Sequence, residues 1–201
     1  MSVTLQKGQK VSLSKDNPGL SRIVVGLGWD EARPKKGGGI LGGLFSAPTQ
    51  DIDCDASAFL LKNGRLTDSK DVVYFGNLTH FTGAVQHMGD NLTGAGEGDD
   101  EQIVIDLQRV PPQYDKIVIV VNIYWAYKRN QHFGMIDNAF IRIVNAANGM
   151  EMLKYNLSEN YNGMTAMIFG EIYRHNGEWK FGAVGSGTND GSISDLAKRY
   201  Q

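Results

Sequence analysis

Apolar residues along this chain recur with a period of two far more often than 3.6, the mark of strands with one face buried. Val3 and Leu5, then Val11 and Leu13, alternate with polar neighbours and predict a first strand pair turned near Gly8. Residues 22–29 (RIVVGLGW) form a β-branched run suited to a strand buried on both faces. Short strands are predicted over 56–61, 72–75 and 102–107. The longest is expected over 116–126 (KIVIVVNIYWA), whose β-branched content disfavours a helix. Its aromatics Tyr124 and Trp125, with Tyr127, are assigned to the core rather than to a sugar-binding platform.

The last third predicts hairpins. Residues 140–144 and 152–157 flank Asn148-Gly149, and 167–174 and 178–184 flank Asn176-Gly177, with Asn63-Gly64 as a third such turn. Asn-Gly supplies the two positive-φ residues of a type I′ turn. Only residues 192–200 read as helix, with Ser192 and Asp195 at capping spacing and Lys198 and Arg199 in the last turn. Many short strands with regular turns give an all-β fold, a two-sheet β-sandwich with a short C-terminal helix. One domain over residues 1–201 is sufficient, interrupted by a Gly-rich apolar loop at 37–48 (GGGILGGLFSAP) that either folds back on the domain or serves as a docking patch.

Composition narrows the function. With 25 glycines in 201 residues the chain is turn-rich, and a net charge of −2 without a Lys/Arg stripe excludes nucleic acid as an expected partner. The one cysteine, Cys54, rules out an intrachain disulfide. Neither a signal-peptide core nor a run of about 18 apolar residues occurs, so no transmembrane segment is expected and the cytoplasm is the default compartment.

Charge is distributed unevenly. Residues 71–108 contain no Lys or Arg but hold Asp71, Asp90, Glu97, Asp99, Asp100, Glu101 and Asp106. Within that stretch Gly89-Asp90-Asn91 and Gly98-Asp99-Asp100-Glu101 combine flexible backbone with carboxylate and amide oxygens. A second cluster is Asp51-Ile52-Asp53-Cys54-Asp55. Carboxylates at i and i+2 of a straight strand have Cα atoms ~6.6 Å apart, so they must lean together in a curved segment, bridge two ions or draw ligands from the other cluster, and shared ligation is the favoured expectation. Hard oxygen donors suit Ca²⁺ better than Zn²⁺. An EF-hand fails, because the sixth loop position counted from Asp51 is Ala56 and the twelfth is Lys62. His80, His87, His132 and His175 lack ligand spacing and are expected to be structural or superficial. No nucleophile-elbow serine or phosphate-binding loop occurs.

Several segments carry a resemblance: 11–15 (VSLSK), 18–20 (PGL), 25–30 (VGLGWD), 53–61 (DCDASAFLL), 89–94 (GDNLTG), 98–101 (GDDE), 138–142 (NAFIR) and 167–171 (MIFGE). In this order they resemble the TerD family of tellurite-resistance and general stress proteins. The resemblance implies a calcium-binding β-sandwich acting in a bacterial stress response as a binding or scaffold module rather than an enzyme. It implies two Ca²⁺ ions held by Asp51, Asp53, Asp55, Asp90, Asn91, Asp99, Asp100 and Glu101, with Asp30 as a weaker candidate. Its partners would be proteins of a stress complex at the membrane surface. Alternatives are a metal-dependent hydrolase or phosphatase using the same carboxylates, and a calcium-dependent lectin. Two departures from the family pattern are the apolar segment 37–48, in place of a short polar loop, and Cys54, where a larger apolar residue is usual. Between two carboxylates the Cys54 thiolate is disfavoured, so a redox role is not expected.

Overall fold

The computed structural model describes residues 2–15, 17–31, 52–89 and 98–201. These form β1 (Val3–Leu5), β2 (Lys10–Ser12), β3 (Arg22–Glu31), β4 (Cys54–Leu61), β5 (Val72–Val73) and β6 (Val85–His87). They continue with β7 (Glu101–Asp106), β8 (Lys116–Ile123), α1 (Ala126–Arg129), β9 (Ile136–Asn145), β10 (Met150–Asn156), β11 (Ala166–His175), β12 (Glu178–Thr188) and α2 (Ile193–Lys198). The strands build two six-stranded sheets, ordered β1-β10-β9-β3-β7-β6 and β2-β12-β11-β8-β4-β5. The expected two-sheet sandwich is therefore present.

Strand alternation explains the layering. On β3 the inward residues Ile23, Val25 and Leu27 are fully buried, and they share a core with Ile103, Ile105, Ile141 and Ile143 of their own sheet. Ala56, Ala58, Leu60, Ile117, Ile119, Val121, Phe169 and Phe181 close it from the other sheet. The unbroken apolar runs belong to β4, buried at all eight positions, and to β8 beside it. Their outer faces carry Phe59, Leu61, Val118 and Val120 in a second apolar cluster beneath Leu196 and Ala197 of α2, and Tyr200 meets Phe59 edge-on at 5.9 Å. Fully burying a leucine contributes about 2 kcal/mol, so the short α2 is held by packing as well as by its Ser192 cap. β3 is covered differently, since its outward Gly26 and Gly28 have no side chains to bury.

Three sequence expectations are corrected. β1 and β2 do not pair with each other; β1 runs parallel to β10 and β2 antiparallel to β12, on opposite sheets. The Gly8 N–H, bonded to Ala183 O at 2.8 Å, marks the crossing. Two three-residue strands gain more ladder partners on the edges of long strands than from one another, and Leu5 and Leu13 still enter one core. The Asn148-Gly149 hairpin exists, but its turn spans four residues and only Gly149 has positive φ, whereas Asn63-Gly64 and Asn176-Gly177 are left-handed at both positions as a type I′ turn requires. Finally, β8 ends at Ile123, and Trp125 turns left-handed (φ 54°, ψ 33°) to start α1. That leaves Trp125 50% and Tyr127 63% exposed, so these two aromatics are outside the core.

Candidate functional site

The two acidic stretches meet at one end of the sandwich, where β7 and β4 begin on facing sheets. Glu101 opens β7 and is buried between the sheets; its Oε2 accepts the backbone N–H of Ala56 on β4 at 2.5 Å. Asp55, two residues into β4 and opposite Asn122 of β8, is also buried. Asp53 lies just before β4; its carbonyl accepts the Tyr124 N–H at 2.7 Å, and its Oδ2 is 3.8 Å from Arg129 Nη1. Asp100 is buried, its N–H donating to Leu27 O and its Oδ2 accepting the Trp29 N–H, both at 2.7 Å.

Cys54 lies in the field of these groups. Burial pushes its thiol well above the usual range, and the negative charges of Asp55, Glu101, Asp53 and Asp100 push it further, in that order. Cys54 thus lies in the field of carboxylates from residues 53–55 and from residues 100–101. The same field disfavours the Cys54 thiolate. Asp100 is itself raised, first by burial and then by Asp30 and Asp99, with the Trp29 N–H opposing. A group placed so gives up its proton reluctantly unless a cation is near.

His87 stands beside Glu101, with Nε2 at 3.4 Å from Oε2, while its Nδ1 accepts the Gly89 N–H at 3.1 Å. Burial lowers its basicity, but the Glu101 carboxylate outweighs that and the ring is raised overall. Asp30 lies further out, its Oδ2 accepting from Asn138 Nδ2 at 2.8 Å. It shares with Asp100, Trp29, Phe140 and Lys154 a cleft of about 610 Å³. Asp99 turns the other way, onto the outer face of the β3 sheet, where it pairs with Arg142.

The structure thus sets Asp53, Asp55, Asp100 and Glu101 at one end of the sandwich, with Asp55, Asp100 and Glu101 buried and Asp53 partly exposed, places Asp30 in the same cleft as Asp100, and points Asp99 at an arginine. Asp51, Asp90, Asn91 and the 37–48 segment lie outside the described residues. Among the described residues no three Asp, Glu, His or Cys side chains stand in a closed chelating arrangement. No helix among them is long and apolar enough to cross a membrane. Sequence reasoning missed Arg142 and Arg129 as members of this region, and it considered His87 with Asp90 as the start of a metal site but assigned it a structural place. Of these, Arg142 had a signal, since it ends the 138–142 motif.

Comparison with known proteins agrees with this architecture. A TerD domain model matches residues 1–200. The chain is 55% identical over 200 residues to "Stress response protein SCP2" of Bacillus subtilis (strain 168), covering all of both chains. It is 49% identical over 199 residues to "Tellurium resistance protein TerD" of Serratia marcescens, covering 98% of this chain and 97% of that one. A crystal structure of a homologue of telluride resistance protein from Streptomyces coelicolor A3(2) superimposes with a TM-score of 0.65 at 21% identity, covering 91% of this chain and 99% of that one. That last likeness carries the fold alone.

Proposed function

Because the chain belongs to the TerD family, we propose that it is a non-catalytic, calcium-binding module of the stress and tellurium resistance that its relatives are named for. The observation that supports the reading is the Glu101–Ala56 bond between the sheets, which brings the buried Asp100 and Glu101 to the end of β4 that carries Asp53 and Asp55. Unit charges ~5 Å apart at an effective dielectric of about 20 repel by roughly 3 kcal/mol. Four carboxylates drawn to one end of a sandwich therefore oppose folding unless positive charge joins them. His87 and Arg129 supply part of it.

The donor set fits a hard divalent ion. Its candidate donors are carboxylate oxygens, and His87 already uses Nδ1 to accept a backbone N–H. Asp30, Asp53, Asp55, Asp100 and Glu101 are the candidates to hold such an ion, and Ca²⁺ tolerates the irregular oxygen shell that strand ends on two sheets present. Bound there, the ion would neutralise the cluster and tie β4 to β7 across the sandwich. Loops stiffened in this way would form the face that a protein partner reads.

Calorimetry of chelator-treated protein, with calcium and magnesium titrated side by side, tests the proposal. Saturable heat with calcium is expected, together with a rise in melting temperature, since a ligand at about 100 times its Kd adds ~2.7 kcal/mol. Neither heat nor a melting shift would remove calcium from the account.

A further inference from the structure

Asp99 sits in a row built across the outer face of the β3 sheet. Gly26 of β3 is the cross-strand partner of Gln102 of β7 on one side and of Arg142 of β9 on the other. The Asp99 carboxylate fills the gap over that glycine; a Cβ at Gly26 would collide with Asp99 Oδ2. From this seat Oδ1 accepts from Arg142 Nε at 2.6 Å, and Oδ2 accepts from Arg142 Nη2 at 3.1 Å and Gln102 Nε2 at 3.0 Å. Arg142 also reaches Glu151, with Nη1 at 3.5 Å from Oε2. The Asp99 side chain is 1% exposed, against 31% for Arg142.

A metal ligand needs a lone pair directed at the ion and a field that welcomes positive charge. Asp99 has both oxygens engaged by a bidentate guanidinium fork and a third donor, and the Arg142 cation covers it. Paired in that geometry, a carboxylate is held in one place by charge-assisted bonds about twice as strong as neutral ones.

We propose that Asp99 is a positioning residue and not a calcium ligand. Clamped by Arg142 over Gly26, it fixes the path of the chain into β7, so that the Asp100 N–H meets Leu27 O and Glu101 turns inward to Ala56. The functional half of this assignment rests on the calcium reading above; the structural half does not.

The two roles for Asp99 predict opposite signs. Were it a ligand, Asp99→Asn would weaken calcium binding while Arg142→Met, by releasing the carboxylate and removing a repelling charge, would strengthen it. As a clamp, both substitutions weaken binding, by roughly 10–100-fold as for other groups that orient ligands, and the double variant is no weaker than the worse single one. Arg142→Lys, which keeps the charge but loses the fork, falls between and guards against a folding failure of the methionine variant. Amide hydrogen exchange without calcium gives a second readout: the Asp100 amide exchanges at least about tenfold faster in the Arg142 variants than in wild type. Tighter calcium binding in Arg142→Met, or an unchanged Asp100 exchange rate, overturns the assignment. If wild type binds no calcium, the cation reading falls instead and the exchange rate alone decides the clamp.

Discussion

Glu101 and Ala56 join the two sheets at the acidic end, the carboxylate of one taking the main-chain N–H of the other at 2.5 Å. The bond does two things at once. It satisfies a backbone donor at the start of β4, and it pulls a negative charge from one acidic stretch into the other. Glu101→Gln keeps an oxygen acceptor and is expected to fold with nearly wild-type stability while binding calcium far more weakly. Glu101→Ala leaves a buried N–H without its acceptor and is expected to cost about 1–3 kcal/mol in urea unfolding. Equal stability of the two variants would show that the bond contributes nothing.

A second buried network ties the opposite half of the β4 sheet. The Tyr114 hydroxyl donates to Asp71 Oδ1 at 2.6 Å, His80 Nε2 lies 3.3 Å from the same oxygen, and Lys62 Nζ is 3.0 Å from Oδ2. Burial alone would raise Asp71, but the bonds from Tyr114, Lys62 and His80 together lower it below its ordinary 3.8. A carboxyl lowered on folding lends stability that is complete above its unfolded value and fades as pH falls through its folded one. Tyr114→Phe should cost roughly 1–3 kcal/mol near neutral pH, and the gap to wild type should narrow as the pH falls below the ordinary 3.8 of Asp71 and the carboxyl protonates in both. Urea unfolding across the acid range measures this; a gap independent of pH would contradict it.

Gly28 is required by close approach. A Cβ there would meet the Phe140 ring at 2.5 Å and Gly98 O at 3.0 Å. Because the second obstacle is backbone, Gly28→Ala should destabilise by about 1–3 kcal/mol, with shrinking Phe140 to leucine restoring only part. Thermal unfolding of the single and double variants checks it, and a fully neutral Gly28→Ala would refute the packing.

Trp125 stacks on Tyr124 at 4.8 Å with Lys128 Nζ 4.1 Å from its ring, yet half its surface faces outward and its backbone is left-handed. A left-handed L-residue costs roughly 1–2 kcal/mol, which a glycine would recover at the expense of the stack. Trp125→Gly is therefore expected to change stability by no more than about 1 kcal/mol. A loss of several kcal/mol in denaturant melts would return Trp125 to the core.

What could be read from the chain, and what could not, follows from the range of the interactions. Asn63-Gly64, Asn176-Gly177 and the Ser192–Asp195 cap are decided by two to four adjacent residues, and each formed as read. Asn148-Gly149 misled because the same dipeptide also ends a four-residue loop, a choice set by where β9 and β10 find register. β1 and β2 separated because edge pairing is settled by strands more than 140 residues away. At the site, the structure places residues 53–55 and 100–101 at the same end of the sandwich, joined by the Glu101–Ala56 bond. The Asp99–Arg142 pair was not legible, since nothing local distinguishes a carboxylate facing an arginine from its neighbours that face inward. The glycines at 26 and 28 were the hint, being the places where that loop rests on the sheet.

The most direct measurement is a calcium titration of the isotope-labelled protein followed by backbone amide signals. If one ion joins the two acidic stretches, the amides of Asp53 to Ala56 and of Asp100 to Gln102 shift together, with a single saturable Kd, while those around Asp71 and α2 stay put. Shifts confined to one stretch, or spread without saturation over all exposed carboxylates, would contradict a shared site.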